Sequence, residues 1–178
     1  MEFFEVINKR HMYRGNFEST KVEKKDIELM LGAALKSPQA VNEPTTSYVV
    51  VTDKTLINKI GALLPMNGTS TAPLIIVVLS EEVITEKGGS YEIENYIAAT
   101  ENLMLAITAL GYSTVWTDGI TRIPAINNGV REILNVPKKF KIRAILPVGR
   151  ELEKTFQKPK PFYEQRVISN KFEVKNGR

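Results

Sequence analysis

Apolar positions along the chain recur on two periods, and the polar stretches between them lay out most of the elements. Phe3, Phe4, Val6 and Ile7 predict a short first helix that stops near Lys9, Arg10 and His11. Val22, Ile27, Met30, Leu31, Ala34 and Leu35 recur at helical spacing, with Ser19 or Thr20 as N-cap and Glu23 to complete a capping box. That helix should end before Ser37–Pro38, because a residue preceding proline is pushed out of the α region. A polar loop framed by Pro38 and Pro44 leads into Thr46–Val51, which reads as a buried strand. Asp53 is placed to cap a helix through Leu64, closed by the turn chemistry of Pro65, Met66, Asn67 and Gly68. The continuous apolar run from Pro73 to Leu79 predicts a central strand, and residues 81–90, with Gly88 and Gly89, an exposed connection. Pro124 opens a helix through Leu134, and Phe140 to Val148 alternates as a strand ending at Gly149 and Arg150.

The rest of the chain is organised around residues 94–119. From Ile97 to Leu110 the only polar residues are Thr100, Glu101, Asn102 and Thr108, too few to leave a solvated face. A helix apolar nearly all round must be buried nearly all round. Counted from Glu92 it spans roughly 19 residues, or ~28 Å, the width of a small domain. Gly111 stands where a left-handed C-terminal cap is wanted, and Tyr112 to Trp116 turns to a strand pattern, so the helix should feed a core strand. Such a helix needs more cover than one small chain supplies, which predicts a homodimer.

Composition adds bounds. A chain of 178 residues with 43% hydrophobic content can bury one core, so residues 1–178 are expected to form one domain, with 150–178 as a C-terminal tail. No cysteine is present, which excludes disulfides, thiolate metal sites and a cysteine nucleophile, and a single histidine argues against structural zinc. Glu2 and Glu5 stand where a signal peptide needs bases, and no apolar run is long enough to span a bilayer. A cytoplasmic protein without a membrane partner is expected. The net charge of +4 is small, and the bases lack interleaved aromatics, so a nucleic-acid partner is not expected. A modest basic site for a small anion fits better.

The candidate chemistry is scattered. Arg10, His11 and Arg14 put three anion donors within five residues, a pattern shared with ordinary solvated charge. Gln39 and Asn42 carry amides that can donate to and accept from a heterocycle edge, or simply make the turn. Asn67 is open to the same two readings. Trp116-Thr117-Asp118-Gly119 forms a loop at a strand end, and Lys158-Pro159-Lys160-Pro161 is neither helix nor central strand. No convincing nucleophile or acid–base pair is present.

Taken in order, these pieces resemble the FMN-dependent nitroreductase family over nearly the whole chain. Arg10-His11 with Arg14 resembles the family's N-terminal signature for the FMN phosphate and ribityl chain, although Met12 stands where many relatives carry a serine hydroxyl. Pro38, Gln39, Ala40 and Asn42 are similar to the loop that the partner subunit lays against the flavin. Thr100 to Gly111 resembles the long dimer-core helix. Thr117, Asp118 and Gly119 occupy the place of the loop facing flavin N5, and Lys158 and Lys160 that of the family's C-terminal phosphate-binding bases. Asn67 joins Gln39 and Asn42 as a candidate for the ring's polar edge.

The resemblance implies an α+β fold with a mixed, mostly antiparallel sheet flanked by helices, and the long helix at a dimer interface. It also implies a tail extending onto the partner and two FMN sites between subunits. The implied activity is an NAD(P)H oxidoreductase working in alternating half-reactions on nitroaromatic, quinone or similar electron-poor acceptors. No protein side chain is implied as catalytic, since flavin N5 carries the chemistry. Glu43-Pro44-Thr45 departs from the family's usual sequence after the asparagine, and the chain is short. A flavin-binding module without turnover, or another flavin reaction such as dehalogenation or flavin breakdown, stays open as the alternative.

Overall fold

The computed structural model describes residues 1–64, 68–86 and 88–172. Its helices are α1 (Phe3–Lys9), α2 (Lys24–Leu35), α3 (Lys54–Leu63), α4 (Glu92–Ala109), α5 (Pro124–Leu134) and α6 (Tyr163–Arg166). Its strands are β1 (Thr46–Val51), β2 (Leu74–Glu81), β3 (Ser113–Thr114) and β4 (Phe140–Gly149), in spatial order β1-β2-β4-β3 with every neighbouring pair antiparallel. The fold class is thus α+β, with helices covering both faces of the sheet.

The unbroken apolar run of β2 explains why it lies at the centre. Its successive side chains point to opposite faces. Leu74, Ile76 and Val78 join Met30, Leu103, Met104 and Ile107 of α2 and α4, while Ile75, Val77 and Leu79 join Ile57, Ile60 and Val130 of α3 and α5. Each such fully buried side chain contributes roughly 1.5–3 kcal/mol. Between Val78 and Leu79 the register against β4 jumps from Ala144 to Ile142, leaving Arg143 as a bulge residue. The bulge re-aims that side chain, whose guanidinium lies 5.4 Å from the centre of the Tyr96 ring on α4.

Helix α4 ends in a complete Schellman arrangement. Gly111 takes φ +79°, its N–H donates to Thr108 O at 3.0 Å, and the Tyr112 N–H donates to Ile107 O at 3.0 Å. The Arg150 guanidinium stacks 4.9 Å from the Tyr112 ring, placing a cation at the negative end of the helix.

Three local expectations are corrected. Strand β1 is an edge strand and mostly half-buried rather than core, because only β2 pairs with it. The strand after α4 is two residues long and lies at the other edge. Helix α2 starts at Lys24 with Glu23 as N-cap and no side-chain cap bond, so neither Ser19 nor Thr20 caps it. The short β3 has a structural consequence: Met12 bridges Thr114 in parallel and the Tyr13 N–H donates to Thr114 O at 2.9 Å. The segment after α1 is thereby laid along the sheet edge, next to Arg10, His11 and Arg14. Among the described residues, no helix is long and apolar enough to cross a membrane.

Candidate functional site

The two ends of the sequence meet at that sheet edge. Tyr13 is fully buried, and its hydroxyl donates to Asn16 O while accepting the Leu152 N–H at 3.2 Å and the Glu153 N–H at 3.4 Å. His11 bonds Lys9 O through Nδ1 at 2.9 Å, and its Nε2 lies 2.6 Å from Glu151 Oε1 and 2.9 Å from Thr155 Oγ1. Gln157 Nε2 donates to Arg10 O at 2.6 Å and Ile7 O at 3.2 Å. These bonds carry Lys158 and Lys160 back to the end of α1. There they line a cleft of about 830 Å³ together with Lys9, His11 and Lys154, and no acidic side chain lines it among the described residues.

The other predicted cations stand beside the cleft rather than in its lining. Arg10 Nε approaches Glu101 Oε1 of α4 at 3.6 Å, and Arg14 is exposed, with Nη1 reaching only Met12 O at 3.5 Å. Among the described residues neither guanidinium has a polar contact shorter than 3.5 Å. His11 is fully engaged within the chain and acts as a brace. Met12 is likewise internal, its Sδ accepting the Trp116 N–H at 3.4 Å.

A second group forms around another flank of α4. Residues Ala40–Asn42 make one turn of 3-10 helix in which Val41 (φ 51°) and Asn42 (φ 56°) lie in the left-handed region. A β-branched residue there is strained, and such strain persists only where surroundings impose it. The imposing residue is Asn95. Its Oδ1 accepts the Ala40 N–H at 2.8 Å, and its Nδ2 donates to Glu43 O at 3.2 Å and Thr45 Oγ1 at 3.0 Å. Pro38, Val41 and Asn42 are left exposed, with Gln39 and Ala40 half-buried. Sequence reading missed Asn95, although an amide on the buried side of an otherwise apolar helix was a signal that something polar docks there.

A third group is the loop after β3. Thr117 is buried, its hydroxyl donating to Ile145 O, and the Asp118 carboxylate takes Arg122 Nη2 at 3.3 Å. Gly119 is exposed, and a Cβ added there would meet nothing within 4 Å, so its backbone faces open space. Among the described residues, the Trp116 Nε1 and Ser37 Oγ are buried without partners. Asn67 lies outside the described residues.

The start of α4 is held electrostatically. Glu92 is 4% exposed and accepts from Ser80 Oγ at 2.6 Å, Arg143 Nη2 at 2.7 Å and Lys141 Nζ. Burial works to raise its carboxyl, but the hydrogen bonds from Lys141, Ser80 and Arg143 outweigh burial and hold it below the ordinary carboxylate range. Three residues on, Asn95 inherits a fixed helix start.

Within one chain the groups do not converge. Asn95 and Glu101, which anchor the proline loop and Arg10, are six residues apart on α4, hence roughly 9 Å along the axis and roughly 120° around it. As for fit to FMN, the donor set supplies guanidiniums and lysines for a phosphate, the amides of Gln39 and Asn42 for a polar ring edge, and an uncovered backbone at Gly119. The residues present fit the group, provided that a second copy brings the proline loop to the cationic side.

The family description "Nitroreductase family" matches residues 63–150. A protein of Methanothermobacter thermautotrophicus, provisionally named NADH dehydrogenase/NAD(P)H nitroreductase, is 27% identical over 154 residues, covering 86% of this chain and 79% of that protein. The crystal structure of a provisionally named NADH oxidase from Clostridium acetobutylicum aligns with TM-score 0.80 at 27% identity, over 94% of this chain and 99% of that one. An FMN-dependent nitroreductase from Clostridium difficile shares the fold, with TM-score 0.81 at 23% identity over 95% and 99% of the two chains. With a nitroreductase-family match running from the end of α3 through β4, and a fold shared over nearly its whole length with solved structures of that kind, the chain has the nitroreductase-like fold.

Proposed function

We propose that this protein is a homodimeric, FMN-dependent NAD(P)H oxidoreductase with one flavin site at each end of the subunit interface. The observation that carries the reading is the separation of the cationic cluster and the strained proline loop on two flanks of α4, which a second subunit across that helix can close into one site. The names of the relatives agree with the activity class. When bound, FMN supplies hydride acceptance from a reduced nicotinamide and delivery of the electrons to an electron-poor acceptor such as a nitroaromatic or quinone, in alternating half-reactions.

The chain's own residues bind, orient and exclude. Arg10, Arg14, Lys158 and Lys160 are assigned to the phosphate, where charge-assisted bonds to a dianion anchor it and fix its direction. Gln39 and Asn42 of the partner's loop, held in shape by Asn95, are assigned to the polar ring edge, with Asn67 as a third amide. Pro38 and Ala40 set that loop's path. The backbone at Thr117, Asp118 and Gly119 is assigned to the reacting face, where the missing side chain at Gly119 leaves room for close approach. Residues 150–178 serve as a tail of the single domain; its part up to Gln157 is clasped to its own chain, and residues 162–172 are assigned to the partner, a placement supported by the exposure of Phe162 and Phe172.

The test is a visible spectrum of the purified protein, followed by anaerobic titration with NADPH and with NADH. A bound flavin spectrum that bleaches with either nucleotide is expected. A spectrum that persists unchanged would indicate a flavin-binding module without turnover, and protein that stays colourless with excess FMN would end both readings. Arg10→Ala should weaken FMN by about tenfold or more while leaving the fold intact, since a charge-assisted contact contributes about 1.5–3 kcal/mol; wild-type FMN affinity in this variant would remove Arg10 from the phosphate site.

A further inference from the structure

Gln157 stands at a mechanical junction. Its side-chain amide donates to Arg10 O at 2.6 Å and Ile7 O at 3.2 Å, two carbonyls at the C-terminal end of α1 with no helical N–H ahead of them. The next four residues are Lys158-Pro159-Lys160-Pro161. Each lysine precedes a proline and is therefore confined to extended backbone, while each proline has a fixed φ. The lysines ride on a short stiff arm whose base is gripped at Gln157. The chain just upstream is clamped as well, through Thr155 and Glu151 to His11 and through the backbone of Leu152 and Glu153 to Tyr13. Residues 162–172 are all exposed, so no comparable buried anchor follows among the described residues.

We infer that Gln157 is a positioning residue for anion binding: by tying the base of the Lys-Pro-Lys-Pro arm to the carbonyls of Ile7 and Arg10, it sets Lys158 and Lys160 beside Arg10 as one phosphate-binding unit. The inference rests on the assignment of those lysines to the FMN phosphate. Gln157 needs no contact with the ligand. Its amide satisfies two carbonyls that otherwise face water, and in doing so it couples the position of the arm to the position of the Arg10 backbone. Losing the amide leaves both lysines in the sequence but frees the arm to swing. The cost then falls on whatever needs the cations together, and only on that.

The experiment compares FMN with riboflavin, which differ by the phosphate alone. Flavin-stripped wild type and Gln157→Ala are titrated with each flavin, and thermal unfolding is recorded in parallel. Wild type should hold FMN well above riboflavin. Gln157→Ala should lower FMN affinity by about fivefold to tenfold, the scale of one to two hydrogen bonds, with riboflavin affinity unchanged. The same substitution made in a Lys158→Ala/Lys160→Ala background should have no further effect on FMN, because a residue acting through the lysines is silent without them.

Three results overturn the inference: FMN affinity unchanged in Gln157→Ala, both flavins weakened equally, or an undiminished Gln157→Ala effect in the lysine-free background. The failure of its foundation looks different. Wild type that does not distinguish FMN from riboflavin removes the phosphate assignment itself, and the inference with it. If Gln157→Ala does not fold, Gln157→Asn, which keeps the amide but withdraws it by one methylene, is read by the same criteria.

Discussion

Glu92 is a carboxylate nearly out of water whose acceptor oxygens are met by a lysine, an arginine and a serine. Its folded value lies below the ordinary 4.5, so its contribution to stability is present above that value and is lost as the pH falls through the depressed folded value. Glu92→Gln should cost about 2 kcal/mol at neutral pH, the scale of hydrogen bonds to a charged group, measured by urea unfolding. Below pH 4.5 the variant should lose stability less steeply than wild type; an acid limb of unchanged slope would show that Glu92 does not govern it. Residues of this kind were poorly legible in the sequence. Glu92 reads there as an ordinary first-turn acid, and Asn95 as a polar residue among many, because both act through partners roughly 50 positions away. The charged candidates were legible as types but not as contacts. His11 proved to be a brace between Lys9 and Glu151.

At the scale of elements, helices and the two long strands follow the apolar periods because each satisfies its backbone locally or against a uniform neighbour. The central strand β2 and the helix ending at Gly111 lie where the pattern put them. Edges are where the pattern misled. Tyr48-Val49-Val50-Val51 has the β-branched composition of a core strand, yet nothing in composition says which neighbour is missing, and β1 has only one. Likewise Tyr112 to Trp116 looks like a longer strand, but its pairing is shared between β4 and the segment at Met12 and Tyr13. The Schellman end of α4 offers a clean test. Gly111→Ala keeps φ +79° only at a conformational cost of about 1 kcal/mol, since the nearest atom to an added Cβ is Arg150 Nη1 at an ordinary 3.6 Å. The melting temperature should drop by about 2–4 °C. No change would mean that the helix end relaxes without consequence.

For the whole molecule, the expectation that α4 is covered on all sides meets a partial answer. Ile97 is 43% exposed and Ile93 48%, on the helix richest in apolar residues, and Phe4 on α1 is 77% exposed. Large apolar side chains left bare together mark a surface meant for cover. Ile97→Glu should convert the proposed dimer to monomer in sedimentation and release FMN at the same time, because each proposed site needs the other subunit's loop. A variant that stays dimeric would move the interface elsewhere. The clasp between the chain's ends has a consequence in time as well as space. Tyr13 and Leu152 are 139 positions apart, so a ribosome delivers the first half of the proposed cationic cradle long before the second. A growing chain can fold much of its core and still have no grip on a cofactor. Under the proposed phosphate assignment, loading has to wait for that second half, and a chain cut short before Lys158 would look folded yet remain unfilled.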